Sequence, residues 1–497
     1  MNYISTRNKK TVVSSAQAIT QGISADGGLF VPETIPQISE TEIEKLSGLA
    51  YPQRAQLILS KFLTDFSETE LYSCVTAAYN DTSFDTRYIA PTVKLSDELY
   101  ILELWHGPTA AFKDMALQLL PRLMTVAAKK TAGGKKIVIL VATSGDTGKA
   151  ALEGFKDVEN TEIIVFYPEK GVSPMQKLQM VTQDGSNVHV CGIDGNFDDA
   201  QSGVKRIFAG DMSKLLAEKN MVYSSANSIN WGRLAPQIVY YFSTYCDLIS
   251  SEEIALGDTV NFVVPTGNFG NILAAYYAKK MGLPIGKLIC ASNSNNVLTD
   301  FFETGCYDRN REFHVTASPS MDILISSNLE RLLFDLYDQD DTKLAEMMEQ
   351  LKTCGKYTVS PEVKAKTDEL FFGGCCNDEQ TKETIFEYFS TYGYLIDTHT
   401  AVAVNVYEDY ITQTGDSTKT VIASTANPYK FSSSVLEAIE GSVFKASDEF
   451  ETVERLCQST LCEVPHNLAE IQGKAVRFSD VCSKDKLEDY VKSVLGL

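Results

Sequence analysis

Short apolar segments alternate with amphipathic segments along the chain from about residue 95 onward. The apolar segments are rich in Val and Ile and are bounded by turn residues, a pattern typical of buried strands. We predict strands at Lys136–Ala142, Glu162–Tyr167, Asn187–Gly192, Val260–Val264, Lys287–Ala291 and Thr420–Ala423. We predict helices between them at Lys149–Phe155, Asp198–Phe208, Arg233–Leu248 and Asn271–Met281. Strands that alternate with helices indicate an α/β fold with largely parallel sheets.

The pattern changes towards both ends of the chain. The first ninety or so residues mix turn signals with two helical stretches between residues 40 and 80. The segment Phe301–Gly374 predicts mostly helix, Asn377–Gln380 predicts a loop, and the last sixty residues predict an α/β tail packed on the body. We therefore expect an N-terminal domain over residues 1–92, a central region of two α/β sheet domains over residues 93–431, and a C-terminal tail over residues 432–497.

The charge balance argues against a nucleic-acid or membrane partner. Lys and Arg number 44 against 65 Asp and Glu, so the 497-residue chain has a formal net charge of -21. Such a surface repels phosphate backbones and anionic lipid, and an anionic substrate would need a locally basic pocket. The start Met1–Lys10 lacks the apolar core of a signal peptide, and no apolar run is long enough for a bilayer. The 11 scattered cysteines suit free thiols, so we expect a cytoplasmic protein.

Four clusters of candidate chemistry lie at predicted strand–helix junctions, where α/β proteins tend to bind ligands. The first is His106–Asp114, in which a Gly-Pro turn and apolar residues precede Lys113, and Asp114 is suited to cap the next helix. Partial burial would lower the pKa of this Lys and free its amine as a nucleophile. The second, Thr143–Gly148, places amides and hydroxyls at a helix start, which suits an anion. Each cluster alone also fits a surface Lys or an ordinary capped turn.

Two further clusters suit phosphate groups. In Pro265–Asn271, two glycines let backbone amides converge at a helix start, but neither a Walker A nor a dinucleotide fingerprint is present, which leaves a single phosphate. In Asn227–Arg233, an Arg joins amide and hydroxyl side chains in a loop that enters a helix. A glycine-rich turn and a capped helix are the alternatives. For Cys457, Cys462 and His466 no fourth ligand follows at zinc-site spacing, so we expect no metal.

Taken in order, these clusters resemble the longer form of threonine synthase, a fold-type II, tryptophan synthase β-like enzyme that uses pyridoxal 5'-phosphate (PLP). The stretches HGPTAAFKD, SGDTG, NSIN-x-x-R and GNFGN carry the resemblance, together with YISTR, QG and GGLFVP near the N-terminus. The likeness extends from about Tyr3 to about Phe431. It implies conversion of O-phospho-L-homoserine and water to L-threonine and phosphate, by γ-elimination followed by β-addition of water, in a monomer.

The resemblance also implies roles for individual residues. Lys113 would bind PLP covalently and act as the catalytic base, Asp146 would lie near the phenolic oxygen, and Thr425 would meet the pyridine nitrogen. The PLP phosphate would be held by Gly267, Asn268, Phe269, Gly270 and Asn271. The substrate would be received by Ser144, Gly145 and Thr147, and its phosphate would be bound by Asn227, Ser228 and Arg233.

The chain differs from the family pattern at one position, and two other functions are considered. Bacterial relatives often have His-Pro where this chain has Asn427-Pro428, so a histidine role at that point is not expected, and the nearby Lys430 has no assigned role. A PLP-dependent serine or threonine dehydratase is one alternative, although such enzymes resemble Ser-Gly-Asn more than Ser-Gly-Asp and need no phosphate clamp around Arg233. A catalytically silent binding protein on the same fold is the other, and the intact Lys113 argues against it.

Overall fold

The N-terminal region combines a small sheet with four helices. The computed structural model describes residues 1–210 and 212–497. Strands β1 (Tyr3–Ser5), β2 (Asn8–Val13) and β3 (Phe30–Pro32) form an antiparallel sheet in the order β2-β1-β3. The helices are α1 (Ser15–Gln21), α2 (Glu40–Ser47), α3 (Tyr51–Ser60) and α4 (Glu68–Ala78). Three helices therefore occupy residues 40–80, where two were predicted, because Gly48 ends α2 and Pro52 begins a new helix at α3.

The rest of the chain alternates strands and helices. The strands are β4 (Thr92–Lys94), β5 (Leu99–Glu103), β6 (Lys136–Ala142), β7 (Thr161–Pro168), β8 (Val188–Asp194), β9 (Met221–Ser224), β10 (Val260–Pro265), β11 (Ile285–Ser292), β12 (Cys306–Asp308), β13 (Lys356–Thr358), β14 (Phe371–Cys375), β15 (Thr420–Ser424) and β16 (Val481–Ser483). The helices are α5 (Asp114–Leu117), α6 (Leu120–Thr131), α7 (Asp146–Phe155), α8 (Pro174–Val181), α9 (Phe197–Ala209), α10 (Met212–Glu218), α11 (Trp231–Ser250), α12 (Gly270–Lys280), α13 (Val297–Thr304), α14 (Leu329–Leu336), α15 (Asp341–Cys354), α16 (Pro361–Leu370), α17 (Asp378–Tyr392), α18 (Thr398–Thr414), α19 (Ser432–Glu440), α20 (Glu449–Thr460), α21 (His466–Ala469) and α22 (Leu487–Leu495). Short 3-10 helices occur at Pro319–Met321 and Pro428–Phe431.

A five-stranded sheet forms the smaller of the two central α/β layers. Its order is β16-β8-β7-β6-β9, and all of its pairings are parallel. Strand β7 is buried along its whole length, as an apolar run covered on both faces requires. The outer strand β16 comes from the C-terminal tail, which is thereby attached to the body by main-chain hydrogen bonds.

A six-stranded sheet forms the larger layer, in the order β14-β11-β10-β15-β5-β4. Its pairings are parallel except for β4, which runs antiparallel to β5. The six predicted strands are present with ends shifted by at most two residues, so the predicted α/β class with largely parallel sheets is confirmed.

Two local predictions differ from the structure. The segment Phe301–Gly374, predicted to be mostly helical, contains α14, α15 and α16 but also the strands β12 and β13, and its last residues belong to the edge strand β14 beside β11. Its two glycines pack closely there: a Cβ at Gly374 would lie 2.6 Å from Val406. The segment Asn377–Gln380 is not a loop, because Asn377 caps α17 and forms a reciprocal capping box with Gln380.

Candidate active site

A cavity of about 580 Å³ lies where the carboxyl ends of strands from both central sheets face each other. Strands β5, β10 and β15 of the larger sheet and β6 and β9 of the smaller sheet each end in a segment that contributes to this region. Residues of the N-terminal region, from Gln21 to Gly27, complete one wall. The predicted site residues that line the cavity are Lys113, Ser144, Thr147, Asn227, Ser228, Arg233, Gly267, Asn268, Phe269, Gly270, Asn271 and Thr425.

Lys113 reaches the cavity from the segment that follows β5. It is only 7% exposed, and its Nζ lies 3.3 Å from Ser320 Oγ and 3.4 Å from Asp146 Oδ2. The preceding residue is fixed by a hydrogen bond of 2.8 Å that the Phe112 N–H donates to the carbonyl of Thr425. Burial lowers the pKa of Lys113 to about 8, although Asp146 partly opposes the shift. A substantial fraction of the amine is therefore neutral in mildly alkaline solution and available as a nucleophile or base.

Asp114 does not cap the helix that follows Lys113, contrary to the prediction. It is the first residue of α5, and its carboxylate accepts hydrogen bonds of 2.8 Å from both the N–H and the hydroxyl of Thr109. Burial raises the pKa of Asp114 to about 6. The side chain closes the loop that carries Lys113, and this loop needs Gly107 because a Cβ there would lie 2.5 Å from Asp114.

Asp146 lies behind the cavity wall, between two ammonium groups. Its Oδ1 is 2.8 Å from Lys430 Nζ and accepts a hydrogen bond of 2.9 Å from Gln176 Nε2, while its Oδ2 faces Lys113. Burial alone would raise the pKa of Asp146, but Lys430 and Lys113 together hold it well below its usual range. Lys430 is fully buried and also donates to Thr109 O and Gln179 Oε1. The carboxylate is thus held ionised beside the Lys113 amine.

The loop that precedes Asp146 depends on Gly145. This residue has a φ of 133°, and a Cβ would lie 2.4 Å from Gln176 Cδ. The Gly145 N–H donates to Thr143 Oγ1, so this amide already has an acceptor, and Gly145 itself does not line the cavity. Ser144 and Thr147 do line it. The turn therefore exposes two hydroxyls to the cavity and turns Asp146 towards the two lysines.

Arg233 is a buried cation at the start of α11. Its Nη1 donates to Ala226 O at 2.8 Å and its Nη2 to Thr147 Oγ1 at 3.3 Å, and it is 4% exposed. Among residues 1–210 and 212–497 it forms no ion pair, and burial lowers its pKa to about 10. Asn227 Oδ1, in the loop that leads into α11, is buried and has no hydrogen-bond partner among the described residues. A buried guanidinium with no carboxylate partner calls for an anion.

The loop after β10 has the features of a phosphate site. Phe269 adopts a left-handed conformation (φ 62°) at the N-cap of α12, whose first amides have no intrahelical acceptors. Asn271 Oδ1 accepts hydrogen bonds from the hydroxyls of Tyr240 and Tyr241, and its buried Nδ2 has no acceptor within the part of the chain that the structure describes. Gly267 is required because a Cβ would lie 2.9 Å from Ser320 O. These unpaired donors fit the phosphate of PLP.

Thr425 follows β15 and lines the same cavity. The neighbouring hydroxyl of Ser424 accepts from Trp105 Nε1 and from Thr400 Oγ1, both at 3.0 Å, so it is engaged in packing the strand end. Within the described part of the chain the Thr425 hydroxyl has no hydrogen-bond partner. Of the two hydroxyls, Thr425 is therefore the one available to a ring nitrogen.

The sequence did not point to several residues of the site. Ser320, His399 and the Gln21–Gly27 segment line the cavity, and Gln176 and Lys430 hold Asp146 from behind. No motif marks Ser320, whereas Ser173 and Gln176 form a capping box at the start of α8, a pattern that is visible in the sequence but does not by itself indicate the contact with Asp146. Asn427, which stands where bacterial relatives often have His, donates its N–H to Ala110 O and caps the 3-10 helix Pro428–Phe431. No helix in the described ranges is both long and apolar enough to cross a membrane.

Comparisons with known proteins agree with this geometry. Family models match as "Threonine synthase N terminus" over residues 2–79, "Pyridoxal-phosphate dependent enzyme" over residues 85–362 and "Threonine synthase, C-terminal" over residues 400–491. Threonine synthase of Pseudomonas aeruginosa is 39% identical over 95% of this chain and 97% of its own length. Threonine synthase-like 1 of Pongo abelii is 42% identical over 86% of this chain, which spans only 58% of that longer protein.

A solved structure extends the comparison to the fold. The PLP-bound threonine synthase of Brucella melitensis superimposes with a TM-score of 0.87 at 36% identity and covers 99% of both chains. The predicted fold-type II architecture and the predicted resemblance are confirmed by these matches. The chain belongs to the threonine synthase family of pyridoxal-phosphate-dependent enzymes.

Proposed function

We propose that the chain converts O-phospho-L-homoserine and water to L-threonine and phosphate. The observation that carries this proposal is Arg233, a buried guanidinium that pairs with no carboxylate in the described part of the chain and lines the same cavity as Lys113. A substrate that carries a phosphate would supply the missing anion. The substrate of a serine or threonine dehydratase has only its α-carboxylate as an anion, and we assign the amino-acid end of the substrate to the Ser144–Thr147 turn. With that assignment Arg233 would stay unpaired in a dehydratase, so the geometry favours the phosphorylated substrate.

The cofactor roles follow from the donors of the cavity. We assign the PLP phosphate to Gly267, Asn268, Phe269, Gly270 and Asn271, the pyridine nitrogen to Thr425, and the covalent attachment to Lys113. When bound, PLP supplies the electron sink that makes the proton on the amino-bearing carbon of the substrate acidic. Tyr240 and Tyr241 support the assignment of Asn271, because they occupy its Oδ1 and leave Nδ2 as the atom that would donate to the phosphate.

Lys113 is the base in this proposal. Its lowered pKa provides neutral amine near the working pH, and the Nζ atom accepts the proton of the substrate α-carbon. After that proton has passed on, the neutral Lys113 amine accepts a second proton, from the β-carbon, and the phosphate leaves the γ-carbon with the electron pair of its C–O bond. A proton then adds at the γ-carbon and water adds at the β-carbon, which completes threonine. Asp146, held ionised by Lys430, stabilises the ammonium that Lys113 becomes and is assigned to the phenolic oxygen of PLP.

The substrate groups are assigned to the remaining walls. Ser144, Gly145 and Thr147 are proposed to receive the amino acid, with Gly145 acting through the turn that it permits, since its amide donates to Thr143. Arg233, Asn227 and Ser228 are proposed to bind the substrate phosphate and to strengthen their contacts as charge develops on the leaving group. Thr147 Oγ1 already accepts from Arg233, which links the two subsites.

The wider setting is also a proposal. We infer a cytoplasmic, monomeric enzyme that acts on a small molecule and binds no nucleic acid, since the net charge of -21 repels other polyanions. We further propose the division at residues 92 and 431 that the sequence suggested.

One assay tests the central proposal. The PLP-loaded enzyme is incubated with O-phospho-L-homoserine, and threonine and phosphate are both quantified. Equal amounts of the two products are expected. Release of ammonia and a 2-oxo acid from unphosphorylated serine or threonine, with no product from the phosphorylated substrate, would favour the dehydratase alternative. No product in either assay would favour a silent binding protein.

A further inference from the structure

Ser320 places a hydroxyl between Lys113 and Asp146. Its Oγ donates to Asp146 Oδ2 at 3.2 Å and accepts from Lys113 Nζ at 3.3 Å. The direct Lys113–Asp146 contact is longer, at 3.4 Å. A hydroxyl in this position has one proton to donate and lone pairs to accept, so it can bridge a carboxylate and an amine at once. The Lys113 amine is therefore held by two neighbours rather than by one.

His399 holds Ser320 through its backbone. The Ser320 N–H donates to His399 Nε2 at 3.2 Å, which makes Nε2 an acceptor and places the imidazole proton on Nδ1. The Nδ1 atom lies 2.7 Å from Asp397 Oδ2, and Asp397 is fixed as the N-cap of α18. The imidazole is 2% exposed, so its orientation is set by these two hydrogen bonds. The start of α18 thus determines where the Ser320 backbone lies.

The segment around Ser320 is also held from the other side. Asn293, directly after β11, donates to Ser318 O at 3.3 Å and to Asp322 Oδ1 at 2.8 Å. The missing Cβ of Gly267 lets the Ser320 carbonyl approach the cofactor loop closely. The position of Ser320 is therefore fixed by residues that follow β10 and β11.

We propose that Ser320 is a positioning residue that holds the Lys113 amine in line with the reacting carbon, and that His399 acts through the Ser320 backbone to fix it. The inference rests on the proposed role of Lys113 and deepens it. Without the hydroxyl, the amine keeps Asp146 as its nearest hydrogen-bond partner and turns towards it. Loss of one such hydrogen bond slows amine chemistry by about 3- to 10-fold and leaves substrate recognition, which uses other side chains, nearly unchanged.

The test uses Ser320→Ala, Ser320→Thr, His399→Phe and His399→Gln, with Ser318→Ala as the matched control. Ser318 lies in the same segment, but its hydroxyl accepts from Asn293 instead of Lys113. Two quantities are measured: the rate at which PLP attaches to the apoenzyme, followed by absorbance, and kcat and KM of the loaded enzyme. The attachment rate needs no substrate, so it remains informative if the proposed reaction itself is wrong.

We expect Ser320→Ala and His399→Phe to lower both the attachment rate and kcat by about 3- to 10-fold, with KM within twofold. Ser320→Thr keeps a hydroxyl and His399→Gln keeps an acceptor, so both variants should retain most of the attachment rate and of kcat. Ser318→Ala should behave as the parent. The Ser320→Ala/His399→Phe double variant should be no slower than the slower single variant, because both act through one contact. Additive effects would overturn the role of His399, and an unchanged attachment rate in Ser320→Ala would overturn the whole proposal.

Discussion

Lys430 Nζ lies 2.8 Å from Asp146 Oδ1, and neither side chain is more than 2% exposed. This buried ion pair stands directly behind Lys113, and Lys430 lowers the pKa of both Asp146 and Lys113. The nearby ammonium disfavours a second positive charge on Lys113. Lys430 therefore acts on the chemistry of the site without lining the cavity.

We predict that Lys430→Met raises the pKa of Lys113 and destabilises the fold. The pH profile of PLP attachment to the apoenzyme should move to higher pH, because the amine stays protonated over a wider range. Removing one partner of a buried pair should lower the free energy of unfolding by about 3 kcal/mol. Lys177→Met is the control, since its ion pair with Glu169 is about one-third exposed and should cost less than about 1 kcal/mol. A parent-like pH profile in Lys430→Met would contradict the electrostatic role.

Lys113 itself should show its lowered pKa in the apoenzyme. We predict that PLP attaches at a rate that rises with pH and reaches half of its maximum near pH 8, because only the neutral amine attacks the aldehyde. Borohydride reduction of the loaded enzyme should then leave the label on the peptide that contains Lys113. Lys149 is an internal control, since it too is buried with a lowered pKa but bonds Glu153 and Gln183. Label on the Lys149 peptide would refute the assignment.

Arg233 should govern recognition of the phosphorylated substrate. We predict that Arg233→Met raises KM for O-phospho-L-homoserine by about 30- to 150-fold, which corresponds to the loss of one charge-assisted contact of about 2–3 kcal/mol. The absorbance of bound PLP should be unchanged, because the cofactor loop is held by other residues. Arg233→Lys keeps the charge but loses the forked donors, so its KM should lie between that of the parent and that of Arg233→Met. Loss of PLP with an unaltered KM would instead assign Arg233 to the cofactor.

The central strands could be predicted because they are buried on both faces and their sequences are accordingly apolar and β-branched. Lys136–Ala142 is apolar and β-branched, and it is a strand with those bounds. Phe371–Cys375 was not predictable, because two glycines weaken its strand pattern and only the close approach of Phe302 and Val406 explains them. The polar composition of Asn377–Gln380 predicts a loop, although Asn followed three residues later by Gln is also the pattern of a capped helix start, which is what the structure has.

The candidate site also contains some residues that the sequence could suggest and others that it could not. Lys113 and the glycine-rich loops lie in local motifs, so the sequence could suggest them. Ser320 and Lys430 lie 207 and 284 residues beyond Lys113 and Asp146 respectively, and nothing in their local sequence marks them. Their function arises from the fold, which brings the ends of the two sheets together. A single sequence carries no signal for such contacts.

His106 gives a prediction on stability, independent of catalysis. Its Nδ1 lies 2.5 Å from Asp85 Oδ1 and its Nε2 lies 2.7 Å from Glu103 Oε2, with the ring stacked on Trp105 at 4.3 Å. Burial alone would lower the pKa of His106, but the two carboxylates outweigh it and raise the pKa from 6.5 to about 9. The charged imidazole therefore bridges β5 to the end of the N-terminal region.

We predict that this bridge makes stability depend on pH. Because the folded pKa lies above the unfolded one, the contribution of His106 is fully present below about pH 6.5 and is lost as the pH rises through about 9. The contribution of His106 to the free energy of unfolding of the parent should accordingly fall by on the order of 2–3 kcal/mol between those two pH values. The effect is large because the side chain is only 13% exposed and its ion pairs are weakly screened by solvent. His106→Asn should be destabilised by a similar amount at the lower pH and differ little from the parent at the higher one, as measured by urea unfolding. His466→Asn, which alters a side chain that is 92% exposed, is the control and should match the parent throughout. If His106→Asn differed from the parent by the same amount at both pH values, the residue would contribute by packing on Trp105, and its charge would have no part in the stability of the fold.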